Sequence, residues 1–582
     1  MGCCIDISEQ LIQNWPMHLD SNMFSRIIII LFILFSNMAF GFDRLTGEKF
    51  ASRSEVLAQN GMAATSHPLA TQVAIDILKN GGNAIDAAIA ANAVLGLVEP
   101  TGCGIGGDLF AIIWHEDTKE LYGLNASGPA PMNLSISIIK EQGLNEVPRY
   151  GPHPVTVPGA VAGWVEMHKR FGRIEFENLF NPAIEYAEKG FPVSEVIAYY
   201  LKNASESFKE FPNFRSVWMP NGTVPKKGEL FKNPLLADTY RSIAKTHGRS
   251  FYDGETAELI ISFLQSEGGE MSLKDLKNYK PEWVEPVSTT YRGYDIWELP
   301  PNGQGIAALQ ILNILENYNL SEMGLLSSDY IHLFTEAKKL AFEDRAKYYS
   351  DPDFNSIPVN KLISKSYARE RLRKIDPKKS AKSYDHGNLE NGDTIYMTVA
   401  DKEGNMVSLI QSNYWGMGSG MIPDETGFML QNRGMMFNLD SEHYNSLEGG
   451  KRPFHTIIPA FITKKGKPLI SFGVMGGAMQ PQGHAQIIIN LIDFGMNLQE
   501  AGDAPRFRHY GSSQPTGEAM IDGGYLSLES GFDDKIRDEL KSMGHSLNNE
   551  IGGYGGYQAI MKKDGVYIGA SESRKDGQAS GY

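Results

Sequence analysis

The chain has 582 residues, a formal net charge of −15 and a sequence pI of about 5.4. Hydrophobic residues make up 42% and charged residues 21%, which is typical of a globular protein. The acidic balance argues against binding to nucleic acid or to anionic membranes. With three cysteines and no CxxC or HExxH motif, the sequence supports neither a disulfide framework nor a metal site.

The N-terminus has the pattern of a secretory leader. An apolar run from Ile27 to Phe35 follows a basic residue and precedes the small residues Ala39 and Gly41. We therefore expect residues 1–41 to hold a signal peptide, with Met23 as the better start, and the mature protein to be exported to the periplasm or beyond without stable membrane association. A signal anchor is the alternative, although the run is short for a membrane span.

Two helices open the body of the chain. Hydrophobic residues from Leu69 to Leu78 recur at helical spacing, and Gly81-Gly82 ends that helix. The segment from Ala84 to Val98 is apolar nearly all round, which predicts a buried helix. Residues 102–107 formally match GxGxxG, but a helix precedes them and a strand from Asp108 to His115 follows. This reversed order favours a glycine-rich connection over a dinucleotide site.

The middle of the chain is predicted to be largely helical. Residues 155–172 are typical of a turn and a helix, and residues 174–290 of helices with polar loops. Residues 291–318 indicate a strand, a loop and a buried helix, and residues 329–349 a long amphipathic helix. Residues 351–392 are mostly polar, which predicts an exposed or mobile linker.

From Thr394 onwards the pattern changes to short strands. The runs "TIYMTVAD" and "NMVSLIQS" are separated by a hairpin signal at residues 401–405, and "TIIPAFIT" and "PLISFGVM" follow. Residues 483–507 indicate a buried helix and a second helical start. Helices, strands and further helices in this order predict sheets covered by helices, a layered α/β architecture.

Thr394 opens its strand directly behind Asn391-Gly392-Asp393. This pattern fits an ordinary loop that meets a strand, but it also fits a nucleophile. A threonine hydroxyl needs a base, and the residue's own terminal amine can serve as one if the chain is cut before Thr394. An α-amine has a pKa of roughly 7.7–8.0, so a useful fraction is neutral near pH 7.

Two glycine-rich segments could assist such a nucleophile. Gly476-Gly477 follows a strand-like run and can direct two backbone N–H groups to one point, the geometry of an oxyanion hole. The segment "SNYWGMGSG", residues 412–420, adds a further hydroxyl and more glycines. Taken alone, each segment is typical of an ordinary turn or loop.

Together, "EPTGCGIGGDLF", "GDTIYMTVADKEGNMVS", "GGAMQPQGHAQ" and "AGDAPRFRH" resemble the γ-glutamyltransferase (glutathione hydrolase) family of N-terminal-nucleophile hydrolases. The resemblance extends from about residue 60 to the C-terminus. It implies a four-layer αββα sandwich without a cofactor. It also implies self-cleavage between Asp393 and Thr394, giving a large subunit, 42–393, and a small subunit, 394–582, that form one fold.

The resemblance also implies roles for individual residues. Thr394 attacks a small-molecule or peptide amide and forms an acyl-enzyme, and Ser412 supports it. Gly476 and Gly477 correspond to the family's oxyanion pair. The acyl group then passes to water or to an amino acid or peptide amine.

The positions that bind the glutamyl group depart from the family pattern. Ser127 stands where an arginine would hold the α-carboxylate, so a bidentate guanidinium clamp is missing there. The family's pair of serines falls on His455 and Thr456.

Further departures lie at the positions that bind the α-amino group. The acidic or amide residues expected there are Arg433 and Met436, and an expected asparagine is Tyr414, although Asn413 is next to it. Arg433 can bind a carboxylate but repels an α-ammonium. These differences indicate a divergent γ-glutamyltransferase-like branch.

Three functions are compatible with these residues. The first is a self-processing hydrolase or acyl transferase for γ-glutamyl amides such as glutathione. The second keeps the chemistry with a non-glutamyl amide, as in cephalosporin acylases, and is favoured by residues 127, 433, 436 and 455. The third is a non-catalytic periplasmic binding protein that retains the fold.

Overall fold

The computed structural model describes residues 47–48, 50–384 and 394–582. The chain divides into two units, 1–51 and 52–582, and every helix and strand of the described residues belongs to the second. The predicted signal peptide and Asp393 lie outside the described residues, whereas Thr394 lies within them. Among the described residues, no helix has both the length and the apolar character that a bilayer crossing needs.

Two antiparallel sheets of seven strands form the centre of the molecule. The first sheet contains, in spatial order, β1 (Val56–Ala58), β17 (Val566–Ser571), β16 (Tyr557–Lys563), β13 (Lys467–Val474), β12 (Ala460–Lys464), β9 (Tyr294–Glu298) and β8 (Val287–Tyr291). The second contains β18 (Gln578–Gly581), β2 (Met62–Thr65), β10 (Ile395–Ala400), β11 (Met406–Ser412), β3 (Asp108–His115), β4 (Glu120–Ala126) and β7 (Glu282–Val284). Two small ribbons pair β5 (Phe191–Pro192) with β6 (Leu230–Phe231), and β14 (Phe507–Tyr510) with β15 (Tyr525–Leu528).

The two sheets pack face to face. Their shared core includes Phe110, Ile410 and Tyr396 from the second sheet and Phe461 and Ile560 from the first. Each sheet contains strands from before and after Thr394, so the segments on either side of that residue are interleaved in one core. Central strands that are buried on both faces lose the polar alternation of a surface strand, which explains the continuous apolar runs in the sequence.

Helices cover both outer faces. The helices are α1 (Pro68–Lys79), α2 (Ala84–Val98), α3 (Ile136–Glu141), α4 (Ala160–Phe171), α5 (Asn181–Lys189), α6 (Glu195–Phe208), α7 (Phe214–Trp218), α8 (Pro234–Thr246), α9 (Arg249–Tyr252), α10 (Glu255–Ser266), α11 (Leu273–Asn278), α12 (Gly305–Leu315), α13 (Leu320–Met323), α14 (Ser328–Tyr348), α15 (Val359–Leu362), α16 (Lys365–Leu372), α17 (Met479–Ile492), α18 (Leu498–Asp503) and α19 (Asp534–Ser542). Helix α2 packs on β10 and β11, whereas α12 and α17 pack on the first sheet. The predicted αββα sandwich is therefore confirmed.

The predicted central helix and hairpin both form. Every residue of α2 is buried, and Asn83 and Asp86 close its N-terminus with a capping box. Strands β10 and β11 pair in a register that sets Ile395 opposite Gln411. This register places Thr394, one residue earlier, beside Ser412.

The prediction of an exposed or mobile linker over residues 351–392 was wrong in one respect: its described part contains packed helices, although few of its residues are buried. Helices α15 and α16 form there, and both pack against α12. Leu362 and Ala368 are buried in the core beside the first sheet, and Ile375 joins them. A few apolar residues spaced to face one surface are enough to dock a mostly polar segment.

Candidate active site

Thr394 lies at the buried start of a central strand, and its hydroxyl is held from two sides. Its Oγ1 donates to Ser412 Oγ at 3.3 Å and accepts from Gln480 Nε2 at 3.4 Å. Gln480 is oriented by the backbone N–H of Ile458, which donates to its Oε1 at 2.9 Å. The Thr394 side chain is fully buried. The sandwich therefore fixes the position of this hydroxyl.

The glycine-rich connection at residues 102–107 packs directly against this site. A Cβ on Gly102 would lie 3.0 Å from Ile395 Cγ2 and 3.4 Å from the Thr394 carbonyl carbon. A Cβ on Gly107 would lie 2.4 Å from the Ser412 carbonyl oxygen, closer than real Cβ atoms come to backbone. The glycines are needed because two backbones touch here.

Gly476 and Gly477 lie between β13 and the first turn of α17. Their φ angles of +111° and +58° belong to the left-handed region that favours glycine. The Gly477 carbonyl accepts from Gln304 Nε2 at 2.8 Å, and the same nitrogen donates to the Thr456 carbonyl at 2.7 Å. Arg345 Nη1 donates to Gln304 Oε1 at 2.7 Å, which fixes that side chain. The pair thus sits, firmly anchored, at the positive end of a helix dipole.

Arg433 forms a buried cationic centre nearby. Its Nη1 donates to Thr456 Oγ1 at 2.7 Å, and its guanidinium carbon lies 4.1 Å from the centre of the Tyr414 ring. Its Nε and Nη2 have no hydrogen-bond partner among the described residues. Burial lowers the pKa of Arg433 to about 10, so the group is still cationic at neutral pH. Two unpaired donors on a buried cation are suited to an anionic group.

Tyr414 connects this cation to Ser412 and, through it, to Thr394. Its backbone N–H donates to Ser412 Oγ at 2.8 Å, while its ring stacks on Arg433. Its φ of +77° is unusual for a residue with a side chain. Burial raises the pKa of the Tyr414 phenol to about 12, so it is neutral at pH 7. Thr394, Ser412, Tyr414 and Arg433 therefore belong to one continuous site.

Asp108 is the centre of a polar network that sequence patterns did not single out. Its carboxylate accepts from His455 Nε2 at 2.9 Å, from Gln431 Nε2 at 2.9 Å, and from the N–H groups of Gly128 and Gly159 at 3.1 and 3.2 Å. Burial raises the pKa of Asp108 to about 7. Burial and the nearby guanidinium hold the pKa of His455 well below its usual value, so its neutral ring donates to Asp108.

Two predicted binding residues donate side-chain hydrogen bonds within the protein. Ser127 Oγ donates to Asn125 Oδ1 at 2.7 Å and accepts from Asn302 Nδ2 at 3.1 Å. The Nδ2 of Asn413 donates to the Met417 carbonyl at 3.0 Å. These contacts give both residues a role in shaping the loops around the site.

Two clefts meet at Trp415, which lines both. The larger, of about 870 Å³, is lined by Met436 and by Tyr414, whose ring stacks on Arg433. The smaller, of about 470 Å³, includes Gly476 and Thr101 in its lining. The site thus has two approaches, one beside the cation and one beside the glycine pair.

One group of side chains within the described residues has the composition of a metal site. Ligand atoms of His332, Glu336 and His545 lie within 4.8 Å of one another. However, His332 Nδ1 and His545 Nε2 share a hydrogen bond of 2.8 Å, and Lys339 Nζ donates to Glu336 at 2.7 Å. Hydrogen bonds within the protein account for the cluster, and its members do not line either cleft.

Sequence patterns missed Gln480, Asp108 and Gln304 as parts of this site. Each could have been noticed in the sequence as a polar residue within or next to an element that is predicted to be buried. Gln480 lies in the first turn of the buried helix α17, and Asp108 opens the apolar β3. Such a residue must find buried hydrogen-bond partners, but the sequence does not say which.

The four-layer sandwich defines the fold class of the N-terminal-nucleophile hydrolases. A family model described as Gamma-glutamyltranspeptidase matches residues 70–582. The chain belongs to this family of enzymes.

The relatives differ in the activity that their names give. The "Glutathione hydrolase-like YwrD proenzyme" of Bacillus subtilis is 38% identical over 90% of this chain and 99% of its own length. The "Acylase ACY 1 proenzyme" of Pseudomonas sp. (strain V22) is 34% identical over 89% of this chain and 92% of its own. The crystal structure of the cephalosporin acylase from Bacillus halodurans superposes with a TM-score of 0.86 and 43% identity, covering 93% of this chain and 99% of that one. Membership of an enzyme family counts against the non-catalytic alternative.

Proposed function

We propose that this protein is a self-processing amide hydrolase in which Thr394 is the nucleophile. The observation that carries the proposal is the buried Thr394 hydroxyl, held between Ser412 and Gln480 at the start of a central strand. Such a position suits a residue that must attack a carbonyl from a fixed direction. Ser412 and Gln480 would hold Oγ1 in place.

The first reaction would be the cut that releases the amine. Thr394 Oγ1 attacks the carbonyl carbon of Asp393, and the peptide C–N bond is replaced by an ester to Oγ1. Water then hydrolyses the ester, which leaves a carboxylate on Asp393 and a free amine on Thr394. The products would be a large subunit, 42–393, and a small subunit, 394–582. Their interleaved strands would keep them in one fold.

The same hydroxyl would then attack the substrate amide. The Thr394 amine takes the proton from Oγ1 as Oγ1 attacks the carbonyl carbon. Gly476 and Gly477, at the start of α17, would stabilise the oxyanion with their N–H groups. The leaving amine departs with a proton, and an ester to Thr394 remains. Water, or a second amine, attacks this ester and regenerates the hydroxyl.

For the acyl donor, the geometry favours a carboxylate bound by Arg433. A charge-assisted hydrogen bond to an otherwise unpaired buried cation is worth about 1.5–3 kcal/mol. An α-ammonium would need an acidic partner, but Asp108, the acidic group of this network, already accepts four hydrogen bonds within the protein, three at Oδ1 and one at Oδ2. We therefore infer a donor with a distal carboxylate and no α-ammonium, such as a glutaryl amide.

A γ-glutamyl amide such as glutathione is the second candidate. It also offers a carboxylate to Arg433, and the similarity to the glutathione hydrolase-like YwrD proenzyme supports it. Its α-ammonium, placed near a buried guanidinium, is the feature that counts against it.

The test has two stages. Intact-mass measurement with N-terminal sequencing of the purified protein should find a fragment that starts Thr-Ile-Tyr, and the start of the large fragment reports whether the leader is removed. The processed enzyme is then assayed with γ-glutamyl and glutaryl 4-nitroanilides. We expect a higher kcat/KM for the glutaryl compound. A preference for the γ-glutamyl compound would favour the second candidate, and an uncut, fully active chain would overturn the nucleophile assignment.

A further inference from the structure

The smaller cleft begins at the proposed reaction centre. Gly476, half of the proposed oxyanion pair, lies in its wall. Thr101 lies in the same wall, directly before Gly102, which packs against Thr394. A carbonyl carbon bound at Thr394 would therefore have one substituent directed towards this cleft.

Five aromatic side chains contribute to the walls of this cleft. Its lining includes Tyr150, Tyr199, Tyr200, Phe208 and Trp415. Tyr199 is 59% exposed, a large fraction for an aromatic side chain in a wall. Faces of this kind, open on one side, bind flat apolar groups.

The charged residues in the described lining of the cleft are both cationic. Lys575 and Arg508 line it, and none of its described lining residues is acidic. Lys575 Nζ lies 4.8 Å from the centre of the Tyr200 ring, so the cation sits at the edge of the aromatic wall. The neighbouring Asp576 carboxylate accepts from the Val196 N–H at 3.0 Å, outside this lining. The cleft is thus an aromatic slot with cationic groups, a combination that favours planar anions.

We propose that this cleft binds the amine half of the amide and selects planar amines that carry a carboxylate, with Tyr200 and Lys575 as the specificity-determining residues. The inference rests on the proposed function, in which the acyl half reaches Arg433 beside Tyr414. The amine half of the bound amide extends from the carbonyl carbon in the other direction. Trp415 lines both clefts and lies between them. By microscopic reversibility, an acceptor amine in acyl transfer enters the same cleft.

A pair of substrates isolates the charge on the leaving amine. Glutaryl 4-aminobenzoate and glutaryl 4-aminobenzamide share the acyl group, the ring and an electron-withdrawing substituent, but only the first carries a carboxylate. We expect kcat/KM to be about tenfold higher for the carboxylate compound, the effect of one charge-assisted contact. The same ratio is measured with the two γ-glutamyl analogues, so that the result does not depend on the choice of acyl group.

Variants then assign the preference to a residue. In Lys575→Met the ratio of kcat/KM between the two substrates should fall towards one. In Lys575→Arg the ratio should stay high, because the charge is kept. Lys464→Met is the matched control, since Lys464 Nζ also lies over a tyrosine ring, 3.9 Å from the centre of Tyr294, on a strand that contributes nothing to the cleft. Tyr200→Leu should raise KM for the aromatic amides more than for the matching alkyl amide. The two processed fragments show that each variant has folded.

The outcomes separate the two proposals. If none of the amides is hydrolysed by a fully processed enzyme, the proposed function fails. If they are hydrolysed but the wild-type ratio is near one, or Lys575→Met leaves a high ratio intact, the amine-side assignment is overturned and the proposed function stands.

Discussion

The surroundings of Thr394 and those of Arg433 are both buried, but they are built differently. Among the described residues, the groups that hold the Thr394 hydroxyl are neutral: the hydroxyl of Ser412 and the amide of Gln480. Around Arg433 the partners are one hydroxyl, from Thr456, and one aromatic ring, and two guanidinium nitrogens have no described partner. The first region is complete without a substrate, whereas the second has unused donors.

This difference suits the Thr394 region to the reaction itself and the Arg433 region to the selection of the substrate. A nucleophile must be held in one geometry, so its support can be the same whatever acyl group arrives. A binding cation is satisfied only when the correct anion is present, and the cost of leaving it unpaired opposes the wrong substrate. One fold can therefore keep its chemistry while the acyl group that it accepts changes. Single substitutions assayed with paired substrates can test whether the two regions are independent in this way.

The largest effect is expected at Thr394. Thr394→Ala should abolish both cutting and hydrolysis, because one hydroxyl serves both reactions. Denaturing gel electrophoresis and intact mass should show a single chain. Thr394→Ser, which keeps the hydroxyl, should retain measurable cutting and activity. Normal cutting in the alanine variant would remove Thr394 from the mechanism.

Arg433→Met should lower kcat/KM for a glutaryl anilide by about 10- to 150-fold, the equivalent of about 1.5–3 kcal/mol of charge-assisted bonding. The loss should appear mainly in KM, and a neutral butyryl anilide should not show it. Arg170→Met is the matched control. The guanidinium carbon of Arg170 lies 4.3 Å from the centre of the Tyr122 ring, and Arg170 lines neither cleft. Equal losses for the glutaryl and butyryl compounds would show that Arg433 does not bind the carboxylate.

Ser412→Ala should lower kcat by about 2- to 12-fold, the effect of one neutral hydrogen bond worth about 0.5–1.5 kcal/mol. The fold-loss should be the same for glutaryl and butyryl donors, because Ser412 supports the nucleophile and not the acyl group. Ser408→Ala on the same strand is the control: its hydroxyl pairs with the Tyr396 hydroxyl in the sheet interface, so kcat should be retained. A donor-dependent loss in Ser412→Ala would show that the two regions are coupled.

The smallest expected effect is a dependence of KM on pH that comes from Asp108. Burial raises the pKa of Asp108 to about 7, so this carboxyl is mostly neutral below pH 7 and mostly ionised above it. An ionised Asp108 partly neutralises the field of Arg433, so KM for a glutaryl donor should rise as the pH increases through 7. KM for a butyryl donor measured over the same range is the control. A flat KM for the glutaryl donor would indicate that Asp108 does not influence the cation.

The sequence determined the central elements and the position of Thr394 beside Ser412. Helix α2 runs from Ala84 to Val98 as its apolar pattern predicts, and the β10–β11 hairpin forms at the predicted turn. The pairing of Thr394 with Ser412 follows from this hairpin, because an antiparallel register fixes cross-strand neighbours from local sequence alone. Periodicity and turn residues depend only on neighbouring positions in the chain, so they can be interpreted without knowledge of the tertiary structure.

Only the tertiary structure decided what surrounds these residues. Asp108, Gln431 and His455 are far apart in sequence and meet because β3 and the later loops converge at one end of the sandwich. The same holds for Arg433 and Tyr414, and for Lys575 and Tyr200. A polar residue in an apolar segment shows that a buried partner must exist, but hydrogen bonds and charges act through space. The identity of each partner is therefore fixed only when the layers pack.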